Sequence, residues 1–316
     1  MRNSNGEPNF CNYSKGGNYV YFGLYPQTKD TDELIIEILN SKVLNWKSYG
    51  YYSGKGKFGT ATSGDWMMYA DTTYNGNKYR AVHFSMCRPA TTYESPDCDV
   101  SYMKENGYYT DTIYWFKFEP IKWRVLDQKS DFIISKLILD SQPYNNTIFE
   151  SETEDPEHTC IYSIDIANTT PANDWAKSSI RNWLNNEFYN LAFTTEEQKA
   201  ISAPPRKSDY KGYCTLDRVT LLSEEDCRNE AYGFIWGYWK DVSETLRTYG
   251  SDYAKCQGLE MCGSHAGWML RSPGYNSNDM GFVFYDGYLD TYDVNDSACG
   301  IRPALNLFGY VLEKEC

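Results

Sequence analysis

Two strongly β-forming segments separated by three polar residues are the feature that most constrains how this chain folds. Segments 114–127 (YWFKFEPIKWRVLD) and 131–139 (DFIISKLIL) are rich in aromatic and β-branched residues, and 128–130 connect them. A connection this short pairs two strands as an antiparallel hairpin. Pro120 has no backbone N–H to donate, so we expect a bulge or a sheet edge there. The chain therefore builds at least one antiparallel sheet.

Further strands are predicted on the N-terminal side of this hairpin. Segment 19–25 (YVYFGLY) is apolar and ends at Pro26, while 66–70 and 78–86 flank the turn dipeptide Asn75-Gly76. The rest of 41–112 is rich in Gly, Tyr, Ser and Asn, which is typical of long loops.

Helices are predicted where apolar residues recur at helical spacing after a capping residue. Segment 30–40 has Asp30 as its candidate cap, and the stripe in SSIRNWLNNEFYNLAF predicts a helix over 178–193. A shorter helix should follow Thr194 and end before Pro204-Pro205. A short strand at 218–222 and a helix capped by Ser223 come next. Antiparallel hairpins combined with these helices predict an α+β fold.

The 316 residues contain no Pro/Ser-rich linker, so we expect a single domain over 1–316 with an insertion at about 29–112. Thirty Lys and Arg stand against 43 Asp and Glu, which gives a net charge of −13, and basic runs are lacking. Nucleic acid is therefore excluded as a partner. No apolar run is long enough for a spanning helix, so membrane insertion is not expected. The N-terminal residues lack the apolar core of a secretion signal, which predicts the cytoplasm, with a virion or the cell surface as alternatives.

Cysteine and histidine are placed without a metal-binding pattern. Only three histidines occur, and neither His158 with Cys160 nor Cys256, Cys262 and His265 has the spacing of a structural zinc site. We expect no metal and no cofactor, and we interpret the scattered cysteines as mostly reduced thiols. The ten are Cys11, Cys87, Cys98, Cys160, Cys214, Cys227, Cys256, Cys262, Cys299 and Cys316.

Tyrosine is unusually abundant, with 29 in a chain rich in Asn, Asp, Ser and Gly, and four of these tyrosines lie in segment 268–300. This composition is typical of recognition surfaces, although an aromatic-rich β fold and ordinary turn chemistry account for it equally well. In segment 268–300, GFVFY-DG-YLDTY predicts a hairpin about Asp286-Gly287. A two-residue turn would place Tyr285 opposite Tyr288 and Val283 opposite Asp290, with Phe284 and Leu289 on the reverse face, whereas a bulged turn would change that register.

Nine blocks along the chain carry a family resemblance. The blocks YAKCQG (253–258), WMLRSPG (268–274), FVFYDGYLD (282–290) and GIRPALNL (300–307) resemble a bacterial family of uncharacterised domains with a C-type lectin-like fold. Five earlier blocks look like the same family in the same order: YFGLYPQT (21–28), FKFEPIKWRVLD (116–127), SKLILDSQPYN (135–145), SSIRNWLNNEFYNLAFTTEEQ (178–198) and DRVTLLSEED (217–226). Trp268, Arg271, Arg302 and Pro303 match fixed positions of the family, and we expect them to support the scaffold.

The resemblance implies a fold shared with the formylglycine-generating enzyme superfamily and with the variable proteins of diversity-generating retroelements. In those variable proteins a reverse transcriptase that misreads template adenines rewrites C-terminal ligand-contact residues. Segment 268–300 is the corresponding cassette, and the resemblance favours binding of a protein or glycan ligand there. The expected contact residues are Tyr275, Asn276, Asn278, Asp279, Phe284, Tyr285, Tyr288, Asp290, Tyr292, Asp293, Asn295 and Asp296.

Two other functions stay open. A formylglycine-type oxidase relative would use Cys299, but that enzyme relies on a cysteine pair, and Cys299 has only the chain-terminal Cys316 nearby in the sequence. No phosphate loop, HExxH or GxSxG motif occurs. A structural subunit of a phage or surface assembly is the third function. The expectation is a non-catalytic, bacterial or phage ligand-binding protein.

Overall fold

Two mainly antiparallel sheets and several short helices make up the computed structural model, so the protein is α+β as predicted. The structure describes residues 19–49, 64–85, 102–145, 171–207, 214–235 and 242–308. Among these residues, no helix is long and apolar enough to cross a membrane.

The larger sheet joins eight described strands in the order β2-β3-β4-β5-β6-β17-β8, with β1 paired to the other edge of β5. These strands are β1 (Tyr19–Lys29), β2 (Lys47–Tyr49), β3 (Gly64–Tyr74), β4 (Asn77–Phe84), β5 (Ile113–Asp127), β6 (Phe132–Ser135), β8 (Ile201–Ser202) and β17 (Ala304–Leu307). Strands β2, β3 and β4 fall inside the predicted insertion and extend this sheet through β4.

The predicted central hairpin is confirmed as β5 and β6, and the expected irregularity lies opposite Pro120. The extra residue of the bulge belongs to β1, between Tyr21 and Leu24, where Gly23 has φ +72°. On its other edge β5 pairs with β4 up to Lys117 and with β6 from Trp123, so Pro120 lies between these two pairings. The missing N–H of Pro120 therefore interrupts neither ladder.

The hairpin of β3 and β4 is also confirmed. Asn75 and Gly76 both have positive φ, 46° and 74°, which is the conformation of a two-residue type I′ turn. Tyr74 pairs with Asn77 directly across it.

The second sheet contains five described strands in the order β15-β14-β13-β16-β7. They are β7 (Asp140–Ser141), β13 (Trp268–Pro273), β14 (Asp279–Val283), β15 (Leu289–Asp293) and β16 (Gly300–Ile301). Two small hairpins complete the strands: β9 (Pro205–Lys207) with β10 (Cys214–Leu216), and β11 (Met261–Cys262) with β12 (His265–Ala266). The C-terminal strands therefore belong to both sheets, because β16 lies in this sheet and β17 in the larger one.

The predicted helices form, with changes at their ends. Asp32 caps the first helix rather than Asp30, and its carboxylate accepts from the N–H groups of Leu34 and Ile35 at 3.0 and 3.3 Å. The capping boxes after Thr194 and Ser223 are confirmed. The helices are α1 (Glu33–Asn40), α2 (Tyr102–Glu105), α3 (Ser179–Trp183), a π-helical turn Leu184–Phe188, α4 (Tyr189–Ala192), α5 (Thr195–Lys199), α6 (Glu224–Arg228) and α7 (Asp252–Cys256).

The strand predicted at 218–222 is wrong in extent. Only Thr220 makes a β-bridge there, to Ala304. The Asn185 side chain accepts from the N–H groups of Arg218 and Val219, so a side chain rather than a second strand satisfies that backbone.

A buried carboxylate joins the two sheets at their centre. Asp140 on β7 accepts hydrogen bonds from the hydroxyls of Tyr25 (2.5 Å) and Tyr49 (3.0 Å), from the Gln142 amide (3.1 Å) and from the Ser141 N–H (2.8 Å). All five side chains are buried. Because Tyr25 and Tyr49 belong to β1 and β2, this network fixes the N-terminal strands to the second sheet.

A cation is buried near the same tyrosines. Arg80 on β4 forms a two-pronged ion pair with Asp71, at 2.7 and 3.0 Å, and donates to the Tyr253 hydroxyl at 3.2 Å. The ring of Tyr253 packs edge-on against Tyr25, with centroids 5.7 Å apart. Charged groups in this core are therefore paired or hydrogen-bonded, as burial requires.

Candidate functional site

The C-terminal hairpin predicted around Asp286-Gly287 is present as β14 and β15. Its turn is bulged: the N–H of Phe284 donates to the Tyr288 carbonyl at 2.8 Å, and the N–H of Gly287 donates to the Phe284 carbonyl at 2.9 Å. Gly287 has φ +85°, the left-handed conformation that closes a three-residue loop with a bulge. Three loop residues stand where the simplest prediction had two.

The extra loop residue changes the register by one position. Val283 lies opposite Leu289, and Asp290 lies opposite Phe282, so the predicted pairing of Val283 with Asp290 is wrong. The bulged alternative, which we expected to shift the faces, is the one that forms. Val283 and Leu289 both point into the buried apolar cluster around Trp268.

The observed register also changes the face of the hairpin on which Phe284 lies. It was expected on the reverse face, but it pairs across the turn with Tyr288 and therefore shares that residue's face. Tyr285 forms the tip of the loop instead of pairing with Tyr288. We define the hairpin face as Phe284, Tyr285, Tyr288, Asp290 and Tyr292.

Aromatic rings stack to form the base of the hairpin face. The rings of Phe282 and Tyr292 stack with centroids 5.0 Å apart, and Phe284 meets them edge-on at 5.1 and 5.9 Å. Tyr288 lies 6.3 Å from Phe284. Phe282 is buried, and Phe284 and Tyr292 are half-buried. These contacts hold the rings in fixed positions before any ligand arrives.

Two tyrosines extend from this base into solvent. Tyr285 is 44% exposed and Tyr288 is 37% exposed. The Tyr285 and Cys262 side chains share a hydrogen bond, and the Cys262 sulfur together with the Asp286 carboxylate raises the pKa of the Tyr285 hydroxyl. The N–H of Tyr288 donates to the Asp286 carboxylate at 3.0 Å, which fixes the turn.

A neighbouring segment holds the turn from the outside. The N–H of Ser243 donates to the Gly287 carbonyl at 3.0 Å, and Val242 makes a β-bridge to Tyr288. A Cβ at Gly287 would lie 2.1 Å from the Ser243 carbonyl oxygen. Only glycine therefore satisfies both the positive φ and this close approach.

Four of the predicted contact residues lie at the opposite end of β14 from the turn. There the Asn276 side chain donates to the Asp279 carboxylate at 2.7 Å, and the Asn173 side chain donates to both backbone carbonyls of that pair. Tyr275 is 85% exposed, and the carbonyl of Asn278 accepts from the Val294 N–H at 2.9 Å. Asn276 and Asp279 therefore shape their own loop, and Tyr275 projects from it.

The last three predicted residues follow the middle of β15. Asp293 is exposed and lies opposite Asp279, while Asn295 is half-buried. Asp296 accepts from the Ala298 N–H at 2.7 Å and shares a hydrogen bond with Tyr292. Burial, with repulsion from Glu260 and Asp293, raises the pKa of Asp296 to about 6.

No group of three His, Cys, Asp or Glu residues able to hold a metal ion occurs within the described parts of the chain. Cys256 is buried and Cys262 is exposed, so the sulfur atoms of the candidate set with His265 belong to different environments. The set of His158 and Cys160 lies outside the described residues. Among the described cysteines, Cys214, Cys227, Cys256 and Cys262 are free thiols.

The family model described as a domain of unknown function, DUF6273, matches residues 132–309. The chain belongs to the DUF6273 family. The comparisons with curated proteins and with solved structures found no match.

The DUF6273 region runs from β6 to β17 and includes every strand of the second sheet. It contains all twelve predicted contact residues and both family-like arginines. Arg302 donates to the Ser135 carbonyl at 2.9 Å, and its guanidinium lies 4.9 Å from the Trp268 ring. Arg271 lies 3.4 Å from Asp226. As expected, these arginines bridge parts of the scaffold.

Three neighbours of the site were missed by sequence reasoning. Cys262 shares a hydrogen bond with Tyr285. The Glu260 carboxylate helps to raise the pKa of Asp296 and accepts a hydrogen bond from the Tyr102 hydroxyl. Tyr102 lies outside the DUF6273 region, and burial with the nearby Glu260 raises its pKa to about 12. No local pattern marks these residues, because the fold alone brings them to the hairpin.

Proposed function

We propose that this chain is a ligand-binding protein without catalytic activity, and that its hairpin face contacts a protein or glycan. The observation that carries this proposal is the pair of exposed tyrosines, Tyr285 and Tyr288, above a stacked aromatic base. Rigid tyrosines supply a large contact area with a polar tip and lose little conformational entropy on binding. Asp290 beside them supplies acceptors for hydrogen bonds that select the ligand.

The proposed framework is a C-type lectin-like fold of the kind that carries variable residues in diversity-generating retroelements. Two antiparallel sheets with a C-terminal hairpin at the edge of the smaller one support it. The exposed positions hold Tyr and Asn at 275, 276, 285 and 288, which adenine replacement in an AAY codon can produce. The buried Trp268, Met269 and Met280 cannot arise from such a codon. Buried Phe282, Val283 and Leu289 can arise from it as well, so the codon argument supports diversification of the exposed positions only as compatibility.

A ligand screen tests the binding proposal. Purified protein is applied to a printed glycan array and to a displayed library of random peptides, beside the double variant Tyr285→Ala/Tyr288→Ala. We expect the double variant to bind the same ligands with an affinity lower by about tenfold or more. Its melting temperature should equal that of the wild type, because both side chains are exposed.

Tyr21→Ala is the matched control. Tyr21 is 42% exposed, but it belongs to β1 of the larger sheet. It should bind the same ligands as the wild type. Equal binding by all three proteins would contradict the proposal. Unfolding of the double variant would show that the two tyrosines support the fold and do not form a binding surface.

The retroelement part has its own test in the surrounding DNA. We expect a near-duplicate of the segment encoding residues 268–300, differing where the duplicate has adenine, beside a reverse transcriptase gene. Its absence would contradict diversification and leave the binding proposal to the ligand screen.

The oxidase alternative depends on Cys299, which is 2% exposed. A substrate has no direct access to a thiol buried in this way. Oxygen consumption that disappears in Cys299→Ser would restore this alternative.

A further inference from the structure

Arg206 on β9 is a cation that its described neighbours hold in place without neutralising it. Its guanidinium carbon lies 4.8 Å from the centre of the Phe132 ring, and one of its Nη atoms donates to the Asn306 side-chain oxygen at 2.5 Å. The Asn306 amide nitrogen donates in turn to the Ser130 carbonyl at 2.8 Å, which keeps the amide oxygen facing the arginine. An aromatic face and a neutral amide attract a guanidinium, but neither supplies a formal negative charge.

No carboxylate compensates the charge of Arg206 within the described ranges, because it takes part in none of the ion pairs found there. Two acidic side chains act on it, Asp226 and Asp217, and both are bonded elsewhere. Asp226 accepts from the N–H and the hydroxyl of Ser223, each at 2.8 Å. Asp217 pairs with Arg181 at 2.6 Å. Neither carboxylate is placed to serve Arg206.

A second guanidinium acts on Arg206 more strongly than either carboxylate. Burial, followed by the positive charge of Arg271 on β13, lowers the pKa of Arg206 from 12.5 to about 10. Arg271 lies 3.4 Å from Asp226, and its side chain is mostly buried. Two like charges in partly enclosed surroundings repel each other, and an anion beside them would relieve that repulsion.

One donor of Arg206 also lacks an acceptor. Its Nε is buried and has no hydrogen-bond partner. A buried donor without an acceptor costs free energy, so such a group calls for a partner from outside the protein. The Nε and the adjacent Nη of an arginine form a fork that matches two oxygens of a carboxylate or a phosphate. Arg206 as a whole is half-buried, so its side chain is not sealed from solvent.

We propose that Arg206 and Arg271 form a binding site for an oxyanion, a phosphate or a carboxylate, which supplies the negative charge that this part of the fold lacks. The chemistry is the same whether the group is a free ion or part of a larger molecule, because the fork contacts only two oxygens that share a negative charge. Both arginines belong to the DUF6273 region, and neither belongs to the hairpin face. The site therefore goes beyond the ligand binding proposed for the hairpin.

Calorimetric titration of the full chain with inorganic phosphate, at constant ionic strength, tests the site. We expect saturable binding of one ion per chain by the wild type. Arg206→Gln should weaken it by about tenfold or more, because a charge-assisted hydrogen bond is lost. A parallel titration with acetate distinguishes the two sources: tighter binding of phosphate would indicate a phosphoryl group, and tighter binding of acetate would indicate a carboxylate.

Arg218→Gln is the matched control. Arg218 is exposed, and its replacement removes the same single positive charge. We expect less than about a twofold change in affinity from it, because solvent screens an exposed charge. Equal losses in the two variants would overturn the proposal, since the attraction would then belong to the net charge of the chain.

NMR of the arginine side chains in the wild type provides a test that does not depend on the folding of Arg206→Gln. The Nε–H resonance of Arg206 should shift as phosphate is added, and that of Arg218 should not. An Arg206 resonance that does not move, or a wild type that takes up neither ion, would overturn the proposal.

The hairpin variant Tyr285→Ala/Tyr288→Ala separates this site from the proposed binding face. It should take up phosphate as the wild type does, because the two surfaces share no residue. Loss of phosphate binding in that variant would overturn a site at the two arginines, whereas loss of other ligands alone would concern only the hairpin.

Discussion

Tyrosine and aspartate serve two opposite purposes in this protein, one in the interior and one on the C-terminal hairpin. In the interior, the Asp140 carboxylate accepts from the hydroxyls of Tyr25 and Tyr49 and is fully enclosed. On the hairpin face, Tyr288 and Asp290 belong to neighbouring positions of one strand face and remain accessible to solvent.

The difference shows why composition alone assigns no function to a tyrosine-rich chain. Where a buried carboxylate is hydrogen-bonded by the protein itself, as Asp140 is, the hydrogen bonds hold the fold together and a ligand has nothing to contact. Where fixed rings and the Asp290 carboxylate are partly exposed to solvent, the fold depends on them less, and a ligand can contact them. Loss of the interior set should therefore reduce stability, and loss of the surface set should reduce binding.

The largest effect is expected from Asp140→Ala. Removing the carboxylate leaves the hydroxyls of Tyr25 and Tyr49 buried without their acceptor and creates a cavity. We expect a loss of about 4 kcal/mol in the free energy of unfolding, measured by urea denaturation.

Asp290→Ala is the surface counterpart of that variant. It should change the free energy of unfolding by less than about 0.5 kcal/mol, because Asp290 is partly exposed and unpaired among the described residues. Similar losses in the two variants would remove the distinction between interior and hairpin.

A smaller effect is expected from Gly287→Ala. The substitution forces alanine into φ +85° and places its Cβ against the Ser243 carbonyl, so the turn must move. We expect a loss of about 2 to 3 kcal/mol together with weaker ligand binding.

Gly76→Ala separates the two causes of that loss. Gly76 has φ +74° in the β3–β4 turn, but a Cβ there meets nothing within 4 Å. It should cost about 1 kcal/mol and leave binding unchanged. Equal costs at both glycines would show that contact with Ser243 does not constrain the hairpin.

The effect on stability expected from Asp296→Asn is small and depends on pH. The pKa of Asp296 is raised from 3.8 to about 6 in the folded protein, chiefly by burial. Between about pH 4 and pH 6 the folded state holds a proton that the unfolded state has lost, so this group lowers stability as the pH rises through that window. The asparagine variant should be more stable than the wild type at pH 7, by on the order of 1 kcal/mol, and equal to it at pH 4.

Thermal unfolding of both proteins across this pH range measures the difference. Asparagine keeps an acceptor for the Ala298 N–H, so the comparison isolates the charge. A stability difference between the two proteins that does not change with pH would contradict the raised pKa of Asp296.

The features that could be predicted from the sequence depend on neighbours along the chain. Asn75-Gly76 determines its own turn, and the capping box from Thr194 to Glu197 closes within three residues. The β5–β6 hairpin follows from two apolar segments and a short connection. In each case the residues that decide the structure are adjacent in the sequence.

What could not be predicted depends on contacts between distant segments. The turn at Gly287 is bulged, and Ser243, more than forty residues earlier, hydrogen-bonds it in that form. The tyrosines around Asp140 come from strands about a hundred residues away. Cys262 and Tyr102 reach the hairpin in the same way, so the membership of the site emerged only with the fold.

Hydrogen–deuterium exchange on the complex with the tightest ligand from the screen tests the central claim most directly. Slower exchange in the bound state should be confined to the hairpin, residues 279–293, and to Val242 and Ser243, which pair with the hairpin turn. The strands β1 to β4 should exchange as in the free protein. Protection on those strands, with none on the hairpin, would contradict the claim that the hairpin face is where this protein binds.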